Sequence, residues 1–188
     1  VSDAAIRIDS IIKHMRSFWV DPAKQELGDL GLNQLIEKTL SIVEQRISAH
    51  QIELVREFSS ESPVVKANEV QLEIVVSNLI LNALNSLDLI NKPDKQIKIS
   101  TYNFGKECYL EVSDNGPGLP DIDSKQLFDP FFSTRQNSGG TGLGLAIVKM
   151  FTDRFGARVT AFNNADSGAT FRIVFPTNDD ANIPERDK

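Results

Sequence analysis

Gly139-Gly140-Thr141-Gly142-Leu143-Gly144-Leu145 runs straight into a helix expected over Leu143 to Phe155, with Gly156 as its C′ glycine. A glycine-rich turn opening a helix can belong to a doubly wound dinucleotide fold, where it follows a parallel strand. The flanking sequence excludes that. Upstream, Ile97, Ile99 and Thr101 alternate, as do Leu110 and Val112 beyond the Gly105 turn, which predicts an antiparallel hairpin. Downstream, Val159 and Ala161, then Phe171, Ile173 and Phe175, predict a closing hairpin around Asp166-Ser167-Gly168. Further upstream, Asn68 to Leu89 is the longest helical candidate, apolar on most sides and capped by Asn68. Before it, Leu32, Leu35, Ile36, Leu40, Val43 and Ile47 form one helical stripe. Ile52, Leu54 and Phe58 then alternate as a strand, with Pro63 to Ala67 as a short partner. Helices, antiparallel strands, a Gly-rich excursion, one helix and more strands describe an α+β layer structure, a sheet covered on one face by helices.

The ends and the composition narrow the picture. Residues 3–19 carry Ile8, Ile11, Ile12, Met15, Phe18 and Trp19 at helical spacing and stop near Asp21-Pro22; residues 21–31 read as a linker and 178–188 as a loose polar tail. The division is thus 1–20 helix, 21–31 linker, 32–177 main domain and 178–188 tail. The chain opens at Val1, in mid-pattern, and reads as a piece of a longer protein. With 188 residues, 40% hydrophobic and 24% charged, it is long and apolar enough for a core. Lys+Arg 20 against Asp+Glu 26 gives −6 with no basic block, which argues against a nucleic-acid partner. Any bound phosphate must be held by local geometry. Single Cys108 cannot form an internal disulfide and fits a reducing, cytoplasmic setting. The apolar run Ile74–Leu84 is broken by Ser77, Asn78 and Asn82 and is too short to span a bilayer of roughly 30 Å.

Four constellations can carry chemistry. Asn78, Asn82 and Asn85 sit at i, i+4 and i+7, hence on one face of a helix otherwise made of Ile74, Val75, Leu79, Ile80, Leu81 and Leu84. Unpaired buried amides cost about 1–3 kcal/mol each, so these need partners: nearby loop backbone, or a hard cation such as Mg²⁺ bridged to substrate phosphates. Val112-Ser113-Asp114-Asn115-Gly116-Pro117-Gly118 ends a strand; it is either an ordinary turn or a place where Asp114 and two glycines admit a flat base. The run from Gly139 to Leu145 is either a hinge or a set of free N–H groups at a helix start, suited to phosphate, with Arg135 just upstream to pair with a terminal phosphate. Leu127-Phe128-Asp129-Pro130-Phe131-Phe132 anchors a lid, or plugs the core through Phe128 and Phe131, or does both.

In this order and at these spacings, the segments resemble the nucleotide-binding catalytic domain of sensor histidine kinases, within the superfamily of DNA gyrase, Hsp90 and MutL. The asparagine helix is similar to the N box, Asp114–Gly118 to the G1 box, Phe128–Phe132 to the F box and Gly140–Leu145 to the G2 box; Gly168-Ala169-Thr170-Phe171 resembles the closing strand. The resemblance implies a two-layer α/β sandwich of the Bergerat ATP-binding type with a mixed, mostly antiparallel sheet, preceded by a stub of a dimerisation helix. It implies ATP and Mg²⁺ as cofactors. Asp114 would accept from the adenine amino group, with Gly116 and Gly118 beside it and Thr170 helping to hold the base. Asn82 would ligate the metal, and Asn78 and Asn85 would line the phosphate end. Gly140, Thr141, Gly142, Leu143, Gly144 and Leu145 would offer backbone amides to the phosphates, with Arg135 as the lid's basic residue. Asn78 and Arg135 are the catalytic candidates.

One position separates branches of the superfamily. Its hydrolases carry a general-base Glu one turn before the metal-binding Asn, where this chain has Asn78, an amide that takes up no proton at neutral pH. Transfer to a neutral imidazole mainly needs positioning and charge neutralisation, which fits a histidine kinase. A further turn upstream, where histidine kinases often carry Gln, Glu or His, stands Ile74, with Glu73 turned roughly 100° aside. That departure keeps a second expectation alive, a nucleotide-sensing interaction module without transfer; an ATP hydrolase is the third. The family's acceptor His is followed by an acid, whereas His14 precedes Met15 and His50 precedes Gln51, so the acceptor is expected outside this chain. The implied partners are the protein's own dimerisation and phosphotransfer hairpin and a response-regulator receiver domain. The resemblance leaves open an inner-membrane anchor on the parent, with this domain in the cytoplasm.

Overall fold

The computed structural model describes residues 26–133 and 141–176. Strand β1 (Gly28–Gly31) leads into helix α1 (Leu32–Ala49), followed by β2 (Glu53–Phe58), β3 (Val64–Ala67) and helix α2 (Glu69–Leu87). The hairpin β4 (Gln96–Phe104) and β5 (Glu107–Asp114) comes next, then a 3-10 turn at Ser124–Phe128, helix α3 (Gly144–Arg154), and the hairpin β6 (Arg158–Asn163) and β7 (Ala169–Pro176). The main sheet has the order β2-β4-β5-β7-β6; β2 lies parallel to β4 and every other pair is antiparallel.

Local signals account for most of these elements. The Asn68 side chain accepts from the Gln71 N–H at 3.2 Å and starts α2 where expected. Gly156, at φ +68°, ends α3 as a C′ glycine. Strand alternation turns Ile97, Ile99, Leu110, Val112, Phe171, Ile173 and Phe175 to one face of the sheet, where they pack with Leu72, Val76, Leu79, Ile80 and Leu84 of α2 and Leu32, Ile36 and Leu40 of α1. By length and composition α2 could cross a bilayer, yet Leu72, Val75, Val76, Leu79, Ile80, Ala83, Leu84 and Leu87 are buried in this core. The opposite face is polar: Arg172 meets Glu111 at 2.6 Å and lies over Phe162, and Tyr102 stacks on Tyr109 at 4.7 Å.

Two expectations are corrected. Residues 28–31, placed in a linker, form β1, which pairs Gly28 with Ala67 and Gly31 with Val64. The Val64–Ala67 strand therefore partners β1 and not the Ile52–Phe58 strand, which pairs with β4 instead. Backbone pairing supplies what a glycine-bounded tetrapeptide lacks in side-chain pattern. The resulting ribbon fixes two helix starts, since Gly31 precedes α1 and Ala67 precedes the Asn68 cap of α2. The 3–19 helix, His14 and the 178–188 tail lie outside the described residues.

Candidate functional site

An open cleft of about 340 Å³ lies between α2, the end of β5 and the start of α3. Its walls bring together Asn78, Asn82, Asn85, Asp114, Gly118, Thr141, Gly142, Gly144 and Leu145 from the sequence-derived set, with Phe132, Ala169 and Phe171 added.

The three asparagines differ in what they are free to do. Asn78 donates through Nδ2 to the Ile74 carbonyl at 2.8 Å, which leaves Oδ1 turned to Gly144; a methyl group on Gly144 would come within 2.8 Å of that oxygen. Among the described residues, no hydrogen bond takes up the half-buried amides of Asn82 or Asn85. No cluster of three or more His, Cys, Asp or Glu able to hold a metal occurs among the described residues. A cation here would thus depend on amide oxygens and on the ligand's own phosphates, a donor set that suits Mg²⁺. Neither Ile74 nor Glu73 lines the cleft: Ile74 packs on the core and Glu73 pairs with Lys38 at 2.6 Å.

Asp114 is the buried charge of the site, 4% exposed at the last position of β5. Its Oδ1 accepts from the Gly116 N–H at 2.8 Å. Burial pushes its carboxyl above the ordinary 3.8, partly offset by the N–H groups of Gly116 and Ala169. The folded state therefore holds this proton more tightly than the unfolded chain, so its charge costs stability above the raised value, and the cost vanishes below 3.8. Compared with Asp114→Asn, the parent is expected to gain relative stability as pH falls through that window. Urea midpoints measured from neutral to acid pH check this; a parent-minus-variant difference that stays constant or falls on acidification contradicts the assignment.

Gly116 is required by close packing, because a methyl group there would meet Asp114 Oδ1 at 2.8 Å and Ser86 Oγ at 3.1 Å. On the phosphate side, α3 begins at Gly144 with no side-chain cap, so its first-turn N–H groups stay available beside the cleft. Gly142 (φ +67°) and Phe131 (φ +65°) lie against each other, with the Phe131 N–H donating to the Gly142 carbonyl at 3.0 Å.

Some residues fall elsewhere than expected. Thr170 does not line the cleft: alternation along β7 turns Ala169 and Phe171 to it, while the Thr170 hydroxyl bonds Ser113 Oγ at 2.8 Å and Asn164 Oδ1 at 2.6 Å. Leu143 is buried as the N-cap of α3, and Gly116 supports Asp114 from behind the cleft lining. Phe131 does not plug the core; its left-handed backbone leaves it 70% exposed, and Phe132 takes the inward place. Phe128 does pack inward, edge-on to Phe171 at 6.4 Å. Arg135 and Gly140 lie outside the described residues. His50 is at the surface, its Nδ1 2.7 Å from Asp88. Asn163 and Asn164 were missed; their only sequence signal is a pair of turn-forming amides beside Asp166-Ser167-Gly168.

Residues 67–179 match the family described as histidine kinase-, DNA gyrase B- and HSP90-like ATPases. The C4-dicarboxylate transport sensor protein DctB of Pseudomonas aeruginosa is 31% identical over 92% of this chain and 28% of its own length. The signal transduction histidine-protein kinase AtoS of Escherichia coli is 27% identical over 93% and 28%. The chain thus spans little more than a quarter of these relatives. Among solved structures, the catalytic domain of histidine kinase ThkA superposes with a TM-score of 0.71 at 27% identity, covering 81% of this chain and 96% of that one. ThkA in complex with the response regulator protein TrrA shares the fold, with a TM-score of 0.74 at 24% identity over 93% of this chain and 48% of that one.

Proposed function

Because the chain belongs to the family of histidine kinase-, DNA gyrase B- and HSP90-like ATPases, we propose that it is the ATP-binding catalytic domain of a two-component sensor histidine kinase. It transfers the γ-phosphoryl group of Mg·ATP to a histidine on a dimerisation hairpin outside the described residues. The observation that carries this reading is the meeting, in one cleft, of buried Asp114, the uncommitted amides of Asn82 and Asn85, and the uncapped start of α3.

In this reading Asp114 accepts from the adenine amino group. Asn82 Oδ1 would hold Mg²⁺, which would neutralise phosphate charge there; Asn78 and Asn85 line the phosphate end. The amides of residues 142–145 face the phosphates, and the sequence motif assigns Gly140 and Arg135 to the same task. An imidazole nitrogen lone pair forms the N–P bond while the bridging β–γ P–O bond breaks, its electrons leave with ADP, and the ring's other N–H releases its proton. Asn78, held by the Ile74 carbonyl, offers no base to activate water, so hydrolysis is disfavoured. The phosphoryl group then passes to a receiver domain. The catalytic domain, extended backwards from Leu32 to include β1, is in this reading located in the cytoplasm of a membrane-anchored parent.

Asn82→Ala is expected to weaken Mg-dependent ATP binding by about tenfold or more and to abolish transfer to a separately supplied hairpin, scored as acid-labile phosphate. Transfer at the parent's rate removes Asn82 from the metal. The packing of Ile74 away from the cleft favours one other reading, a nucleotide-sensing module. A parent that binds ATP and yields no acid-labile product on the hairpin selects it.

A further inference from the structure

Two consecutive amides, Asn163 at the end of β6 and Asn164 just beyond it, grip the Asp114–Leu119 loop at its two ends. At the near end, Asn164 Nδ2 donates to the Asp114 carbonyl at 2.9 Å and to Ser113 Oγ at 3.1 Å, while its Oδ1 accepts from the Thr170 hydroxyl at 2.6 Å. At the far end, Asn163 Oδ1 accepts from the Leu119 N–H at 2.6 Å, and a methyl group on Gly118 would come within 2.8 Å of that oxygen. A third hold comes from the other side, where Asn115 Oδ1 accepts from the Gln96 N–H at 2.8 Å and its Nδ2 donates to the Asp94 carbonyl at 2.6 Å. Between these holds the loop contains Gly116 and Gly118, the most permissive residues available, so its shape depends on its anchors.

We propose that Asn163 and Asn164 are positioning residues that set the base selectivity of the cleft by fixing both ends of the loop that follows Asp114 and holds its carboxylate through the Gly116 N–H. This rests on the reading of Asp114 as the adenine acceptor. An ionised carboxylate at that place accepts from a purine 6-amino group and repels a 6-carbonyl, so adenine is preferred over guanine only while the carboxylate cannot swing aside. Loosening either anchor lets the glycine loop relax and admits the wrong base. The phosphate end, built from α2 and α3, is untouched by these changes.

The test is competition of ATP, GTP and inorganic triphosphate against a fluorescent ATP analogue, with magnesium, in the parent and in Asn163→Ala, Asn164→Ala and Asn163→Asp. Asn163 is exposed, so its alanine variant leaves the core intact, and aspartate keeps the acceptor for Leu119. The ATP-over-GTP preference is expected to fall about tenfold in each alanine variant, to stay near the parent's in Asn163→Asp, and triphosphate affinity to stay unchanged in all. A selective parent whose Asn163→Ala variant stays selective, or loses ATP and GTP affinity equally, overturns this inference alone. A parent that binds ATP and GTP alike overturns the adenine reading of Asp114, and this inference with it.

Discussion

Asp114→Asn is expected to lower ATP affinity by about 100-fold or more, leaving the protein folded. Asp114 is 4% exposed and reaches the cleft from the last position of a central strand, with the Gly116 N–H bonded to one carboxylate oxygen at 2.8 Å. Hydrogen bonds to charged groups are worth about 1.5–3 kcal/mol, and a substituted amide adds a second loss by presenting a donor to the base's own N–H₂. Equilibrium binding of a fluorescent ATP analogue, with circular dichroism to confirm folding, measures it. An affinity within a few fold of the parent's would remove Asp114 from base recognition.

Gly168→Ala is expected to destabilise the protein by about 3 kcal/mol or more, the size seen when a strained backbone and an unrelievable clash coincide. Gly168 has φ +86°, and a methyl group there would fall 1.9 Å from the Asp114 carbonyl oxygen and 2.7 Å from Asn115 Cα. Both neighbours are backbone, so no side-chain rotation can make room. Gly105 is the matched control. Its φ is +60° with nothing within 4 Å of an added methyl group, so Gly105→Ala should cost only about 1–2 kcal/mol from the left-handed conformation. Urea unfolding of the two variants separates them; equal midpoints would mean that the close approach at Gly168 carries no weight.

What could be read from the sequence was whatever a short window determines. The Asn68 cap, the amphipathic stripe of α1, the Gly105 turn and the Gly156 stop are each set by a few adjacent residues, and all stand where expected. The asparagine face of α2 follows from helical spacing, and the structure turns it to the cleft with Asp114 and the start of α3. What escaped depends on distant partners. Gly28–Gly31 has no strand pattern and becomes one only by pairing with residues more than thirty positions away. Thr170 sits in a motif that the family resemblance put beside the base, but side-chain parity in β7 gives that face to Ala169. Phe131 and Phe132 are indistinguishable by composition, and the left-handed backbone at Phe131 decides which one points inward. Asn163 and Asn164 look like ordinary turn residues until the other hairpin is seen beneath them.

The strand order also bears on how the molecule assembles itself. β4–β5 and β6–β7 are each closed by a short turn and can zip up alone, whereas the β5–β7 seam joins Ser113 to Thr170, 57 residues apart, and carries the larger loop-closure entropy. Asp114 belongs to one of these hairpins, and Asn163, Asn164 and Gly168 to the other. The base end of the cleft therefore comes into being only when two independently nucleated pieces dock. A ligand bound there acts as a rivet across this joint, raising the resistance of the whole sheet to unfolding with the logarithm of its concentration once that concentration exceeds the Kd.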